Sequence, residues 1–222
     1  MKLQVYSSRE ALMTGLAGAI AGELRAELAL GPATLSVPGG TTPGPVFDAL
    51  AASEMDWARV SVVLNDERWV DEASPRSNTR LLRQRLLTGR AQKARLLPLY
   101  SPLPAPEDGL AALSAAIAPH LPLTVLLLGM GADMHTASLF PGADHLAAAL
   151  APDAPVLMAL RAEAAGEPRI TLTARVLQAA KHIHILITGP DKRAALERAL
   201  QLPPLEAPVG VVLDRATVHW SI

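Results

Sequence analysis

A chain of 222 residues with 50% hydrophobic and 18% charged residues has material for one large α/β domain, and with 3% aromatics its core must be aliphatic. The formal net charge of −1 argues against a broad electrostatic footprint for nucleic acid or anionic membrane, yet allows a small anionic ligand held by two or three local donors. Without cysteine there is no disulfide framework, thiolate nucleophile or thiolate metal ligand, which fits a reducing compartment.

The N-terminal run Met1-Lys2-Leu3-Gln4-Val5-Tyr6 has no signal-peptide core, and a first strand is expected over 3–6. Ser7-Ser8-Arg9-Glu10 offers a Ser-x-x-Glu capping box, with a helix to about residue 30. That segment carries Glu23, Arg25 and Glu27, so it reads as an amphipathic helix rather than a membrane span, and a cytoplasmic protein is expected. A short strand over 34–37 leads into the loop Gly39-Gly40-Thr41-Thr42-Pro43 and a helix to about residue 53. A core strand over 60–64 ends in Asn65-Asp66-Glu67-Arg68, and Ser77 or Asn78 can cap a helix reaching residue 87. A weaker strand is expected over 95–99, a Pro-rich loop over 100–106 and a helix over 106–120.

The continuous apolar run over 123–128 suits a parallel strand buried on both faces, and 156–160 and 182–188 repeat the type. A helix over 191–200 and late strands over 209–213 and 217–222 complete the pattern. Alternating strands and helices predict a three-layer α/β/α sandwich with a mostly parallel Rossmann-like sheet, as one domain over residues 1–222. In such sheets ligands bind at the carboxyl ends of strands.

Four segments there carry chemistry. In Val37-Pro38-Gly39-Gly40-Thr41-Thr42-Pro43-Gly44, two glycines, two hydroxyls and a following helix N-terminus can cradle a phosphate, although an ordinary Gly-Pro turn has the same composition. In Asn65-Asp66-Glu67-Arg68-Trp69 carboxylates can take or position a proton and Arg68 can bind an oxyanion; a solvated ion pair is the alternative. In the run 129–142, Asp133 stands two residues from His135, where a carboxylate can orient an imidazole. Arg169 and Lys192 are either surface cations or, if they converge with the other strand ends, phosphate ligands.

Other clusters carry less. His182 and His184 face one side of a strand without a third metal ligand at suitable spacing. No Gly-x-Ser-x-Gly elbow occurs, and Thr136 and Ser138 read as loop-bonding hydroxyls. Trp57, Trp69 and Trp220 are dispersed, and Arg80, Arg83 and Arg85 suit a solvated helix face.

Taken together, these segments resemble the 6-phosphogluconolactonase family. The most specific part is Gly131-Ala132-Asp133-Met134-His135-Thr136-Ala137-Ser138-Leu139-Phe140-Pro141-Gly142, followed by Asp66-Glu67-Arg68-Trp69-Val70 with Ser77-Asn78, then Arg169-Ile170-Thr171-Leu172-Thr173 and Thr188-Gly189 with Lys192. The resemblance implies the fold shared with glucosamine-6-phosphate isomerase and hydrolysis of 6-phosphoglucono-δ-lactone, the second step of the oxidative pentose phosphate pathway. It implies no metal or organic cofactor. His135 would be general base and then general acid, Asp133 its orienter, Asp66 and Arg68 further members of the catalytic group, and Gly39, Gly40, Thr41, Thr42, Arg169 and Lys192 the phosphate binders. The expected partner is a small phosphorylated lactone, with no nucleic acid or membrane, acted on by a monomer or homodimer.

Two positions depart from the family pattern. Met134 stands where glycine is usual, which matters if φ > 0 is required there, and Pro38 removes one N–H donor from the first loop. An amino-sugar-phosphate isomerase/deaminase, with Asp66 shuttling a proton, is the nearest rival; that family typically has Asn-Glu-Pro after its His motif, where this chain has Ser138-Leu139-Phe140-Pro141. A non-catalytic sugar-phosphate-binding regulator is another, but the expected fold begins almost at Met1 and leaves no space for a DNA-binding segment.

Overall fold

The computed structural model describes residues 1–222. Strand β1 (Lys2–Val5) leads into α1 (Arg9–Leu28), whose N-cap is Ser8, its Oγ accepting from Ala11 N at 3.1 Å. The cap thus falls one residue after Ser7, and the Ser7–Glu10 capping box does not form. Leu12, Leu16, Ile20, Leu24 and Leu28 recur every fourth residue and are buried, so α1 seats one stripe on the sheet. There follow β2 (Ala33–Val37), α2 (Gly44–Ala52), β3 (Val60–Leu64), β4 (Asp66–Arg68), α3 (Asn78–Arg85), β5 (Arg95–Leu97), α4 (Pro106–Ile117) and β6 (Val125–Gly129). The chain continues through α5 (Leu146–Leu150), β7 (Leu157–Leu160), β8 (Arg169–Leu172), α6 (Ala174–Gln178), β9 (His182–Thr188), α7 (Pro190–Ala199), α8 (Gly210–Leu213) and β10 (Thr217–Ser221). No helix is long and apolar enough to cross a membrane.

Seven strands form one sheet in the order β1-β10-β9-β6-β2-β3-β5, every pair parallel. Every residue of β2 and of β3 is buried, so both faces of the sheet are covered, the three-layer arrangement expected from their unbroken apolar runs. From β2 the chain builds toward β3 and β5; from β6 it builds the other way, toward β9 and β10. The switch point therefore lies between β2 and β6, and the crevice beyond their carboxyl ends is where such sheets bind ligands.

Asn65 ties this switch together. Fully buried, it donates Nδ2–H to Leu127 O at 2.8 Å and accepts at Oδ1 from Ser36 Oγ at 2.7 Å, while its backbone carbonyl receives Leu172 N. One side chain so fastens the ends of β2, β3 and β6.

Three sequence expectations are corrected. Residues 157–160 do not join the parallel sheet. They pair antiparallel with β8, which pairs antiparallel with β4, in a second sheet of order β4-β8-β7. The connection from 160 to 169 is too short for a parallel crossover, which needs about a dozen residues or more. Segments 66–68 and 169–172 are thus strands, not loops beyond strands. Residues 209–213 form a single helical turn instead of a strand: Val209 N donates to Met134 O, and Val212 N to Val209 O. A short aliphatic run does not by itself distinguish the two.

Candidate active site

A cavity of about 410 Å³ opens at the switch point, within the size range of small-molecule sites. Its walls come from five strand ends. Pro38, Gly39, Gly40 and Thr42 follow β2; Asp66 and Arg68 lie in β4, with Asn78 at the start of α3; Gly129, Met130, Gly131 and His135 lie at and beyond the end of β6. Ala164 and Arg169 stand beside them, and Leu186, Ile187, Thr188 and Lys192 complete the wall from β9 and α7. Eight of the ten residues singled out from sequence therefore share one cavity: Gly39, Gly40, Thr42, Asp66, Arg68, His135, Arg169 and Lys192.

The other two do not line it. Thr41 is exposed, and its neighbour Thr42 lines the wall. Asp133 sits behind His135, where its Oδ1 accepts from the ring Nδ1 at 2.6 Å and from the backbone N–H at 3.3 Å. That bond fixes Nδ1 as the donor and leaves Nε2 as the ring nitrogen with a free lone pair. Burial pushes the Asp133 carboxyl up, but the charge of and hydrogen bonds from His135 outweigh it, and its pKa ends below the ordinary value. The imidazole also packs on Phe140, with centroids 4.2 Å apart.

The loop holding this pair closes on itself: Gly131 N donates to His135 O at 2.9 Å and Met134 N to Gly131 O at 3.1 Å. A β-carbon on Gly131 would lie 2.1 Å from both Asp133 Oδ1 and His135 Nδ1, so only glycine lets the backbone pass beneath the pair. Closing the loop forces Met134 to φ 66° and Ala137 to φ 49°. Met134 therefore occupies the left-handed region that the usual glycine would enter freely.

The small antiparallel sheet builds the cationic wall. Its register sets Arg68 directly opposite Arg169. Like charges so placed destabilise a strand pair unless an anion lies against them. Asp66 gives partial compensation, its Oδ2 standing 3.8 Å from Arg169 Nη1 and accepting from Ser138 Oγ at 2.5 Å. Ser138 thus bonds across to β4 instead of within its own loop, while Thr136 Oγ1 does stay in the loop, on Gly129 O. Burial lowers the pKa of Arg169 despite Asp66, and the Nε groups of Arg68 and Arg169 are buried without a protein acceptor. Lys192, lowered by burial against the pull of Asp133, donates to Met130 O at 2.9 Å.

Among the lining residues not anticipated as site members are Asn78, Met130 and Phe140. Asn78, a candidate helix cap and part of the second family motif but with no site role assigned, lines the cavity and donates its amide to Asp66 O at 3.0 Å. Met130 and Phe140 lay inside the quoted motif without a role. His182 and His184, set aside as a metal pair, lie against Glu23 and Glu27 of α1, away from the cavity. No group of three or more His, Cys, Asp or Glu side chains is arranged to hold a metal ion.

This geometry has close relatives. The chain is 44% identical to a 6-phosphogluconolactonase of Mesorhizobium japonicum, across 97% of this chain and 93% of the relative, and 38% identical to one of Rhizobium meliloti, across 99% and 98%. A crystal structure of a 6-phosphogluconolactonase from Shewanella baltica superposes with a TM-score of 0.96 at 31% identity, covering 100% of this chain and 98% of that one. The model of glucosamine-6-phosphate isomerases/6-phosphogluconolactonase matches residues 7–220, and the chain belongs to that family.

Proposed function

We propose that residues 1–222 form a single domain that hydrolyses 6-phospho-D-glucono-1,5-lactone to 6-phospho-D-gluconate in the oxidative pentose phosphate pathway. The observation that carries this reading is the sharing of one cavity by the Asp133-backed imidazole of His135 and the buried guanidinium of Arg169. A phosphorylated cyclic ester needs both, an anchor for its anion and a base at its carbonyl.

In this mechanism Nε2 of neutral His135 takes a proton from water as the oxygen attacks C1. Asp133 holds the ring and stabilises the imidazolium that forms. Backbone N–H groups of the loop stabilise the tetrahedral oxyanion. The imidazolium then returns its proton to the ring oxygen as the C1–O bond breaks. Gly39, Gly40, Thr42, Arg169 and Lys192 hold the 6-phosphate and so fix C1 against His135. Arg68, paired opposite Arg169, joins that anchor, and Asp66 orients Arg169.

No step in this scheme uses a metal or organic cofactor. The reading carries with it a cytoplasmic location and a monomer or homodimer acting on a small molecule, with no nucleic-acid or membrane partner. A pH-stat assay on freshly generated 6-phosphogluconolactone, corrected for spontaneous opening, tests it. Acid release well above the spontaneous rate is expected. Ammonia release from glucosamine 6-phosphate, without lactone hydrolysis, would replace the lactonase by the isomerase/deaminase of the same family.

A further inference from the structure

Glu67 lies between two cavity residues in sequence yet does not line the cavity. Successive side chains of a strand point to opposite faces, so Asp66 and Arg68 turn toward the cavity and Glu67 turns away. There it is fully buried and within ion-pair distance of no cation. Its charge is met by hydrogen bonds alone. Oε1 accepts from Arg68 N and Asn78 N, both at 2.8 Å. Oε2 accepts from Thr79 N at 2.7 Å, Thr79 Oγ1 at 2.8 Å and Ser77 Oγ at 3.1 Å. A carboxylate taking five donors, three of them backbone N–H groups, occupies the place at the start of α3 where an external anion would otherwise be attracted.

Two of those donors belong to residues whose side chains line the cavity, Arg68 and Asn78. Asn78 in turn fills the space beside Gly39: a β-carbon on that glycine would lie 2.0 Å from Asn78 Oδ1. Its amide also reaches Asp66 O. One buried carboxylate thus sets the spacing of three walls, the Asp66–Arg68 strand, the start of α3 and the glycine loop after β2.

We propose that Glu67 is a positioning residue for the lactone hydrolysis, acting through Arg68 and Asn78 to hold the anion anchor in register with the glycine loop. This rests on the lactonase reading above. The Glu67→Gln variant is nearly isosteric but turns an NH₂ toward backbone N–H groups that can only donate, those of Arg68 and Asn78 in one orientation and that of Thr79 in the other, so it breaks the knot without opening a cavity. With the variant folded by circular dichroism, KM for 6-phosphogluconolactone and the inhibition constant of inorganic phosphate are expected to rise roughly 10-fold, with kcat falling less, since the anchor is displaced more than His135. Glu67→Asp, which keeps the charge, recovers part of the loss.

As a control for stability alone, Leu24→Ala in α1 lowers the unfolding midpoint while the folded enzyme keeps wild-type KM. If Glu67→Gln does not fold, Thr79→Val, which removes one donor, is expected to raise both constants about 2- to 5-fold. Variants that lose thermal stability but keep wild-type KM and phosphate inhibition reduce Glu67 to a structural cap and overturn the proposal. A wild-type protein without lactonase activity fails the functional reading instead, and the two failures are distinct.

Discussion

At His135 the chemistry turns on which ring nitrogen is free. Asp133 claims Nδ1 at 2.6 Å, so the proposed base is Nε2, and removing either partner has a defined consequence. His135→Ala deletes the base and is expected to lower kcat by about 10²–10⁴-fold in a protein that stays folded. Asp133→Asn keeps the shape but lets the ring adopt the other tautomer; a loss of roughly 10–100-fold is expected, as for other carboxylates that orient a working imidazole. Steady-state kinetics on the lactone decide it, and near-normal turnover in His135→Ala would remove His135 from the base role. The role proposed for Arg169 is in binding instead. Arg169→Ala is expected to raise KM for the phosphorylated lactone while leaving hydrolysis of a phosphate-free lactone much less affected. An equal loss with both substrates would show that Arg169 does not read the phosphate.

At the scale of elements, the Gly131–Ala137 loop carries its own strain. A left-handed residue with a β-carbon costs roughly 1–2 kcal/mol, and Met134 at φ 66° bears that cost. Its side chain recovers part of it by packing against the core. Met134→Gly is therefore expected to stabilise the fold by roughly 0.5–1 kcal/mol, read as a higher urea midpoint, with kcat unchanged. A lower midpoint would mean that the thioether contacts outweigh the backbone strain.

The same loop shows what a sequence discloses. Its Asp133–His135 pair was legible because the two residues are near neighbours in sequence, and the glycine usual between them was known only from the family resemblance. The long-range facts were not legible. Nothing local to Ser138 indicates that its hydroxyl crosses to Asp66, or that Arg68 will face Arg169, because both depend on how β4 and β8 pair. The aliphatic runs 157–160 and 209–213 misled for a related reason: hydrophobicity reports burial, and the pairing partner decides strand or helix and parallel or antiparallel. By contrast β3 and β9, whose runs are buried on both sides, fell where the pattern put them.

Over the whole molecule, the two chain ends are locked together, and the lock is sensitive to protons. β1 pairs with β10, and just beyond β1 the Tyr6 hydroxyl bonds His219 Nδ1 at 2.8 Å across almost the full length of the sequence. His219 Nε2 meets His184 Nδ1 at 3.0 Å, and His184 Nε2 meets Glu23 of α1 at 2.7 Å, with His182 close to the same carboxylate. A carboxylate only accepts, so with both rings neutral the chain has one consistent direction: Tyr6 donates to His219, His219 to His184 and His184 to Glu23. A proton added to His219 at Nδ1 turns the Tyr6 hydroxyl from donor to acceptor and puts a charge on a buried ring. Burial first, then the neighbouring His184, drives the His219 pKa from 6.5 down to about 4, with Glu23 opposing and Lys2 assisting.

The unfolded chain therefore binds the proton that the native state refuses. This contribution to stability is whole above about pH 6.5 and is lost as pH falls toward 4, and the shift corresponds to on the order of 3 kcal/mol. Carboxylates held low by Arg partners, Asp48 by Arg85 and Glu107 by Arg161, lose their contributions at still lower pH, and do so whether or not His219 is present. Comparing wild type with His219→Gln cancels them. The variant is expected to be less stable at pH 7, with the gap in unfolding free energy closing by pH 4.5. A gap of equal size at both pH values would mean that His219 takes up no proton on unfolding, and that the bond between the chain ends is indifferent to acid.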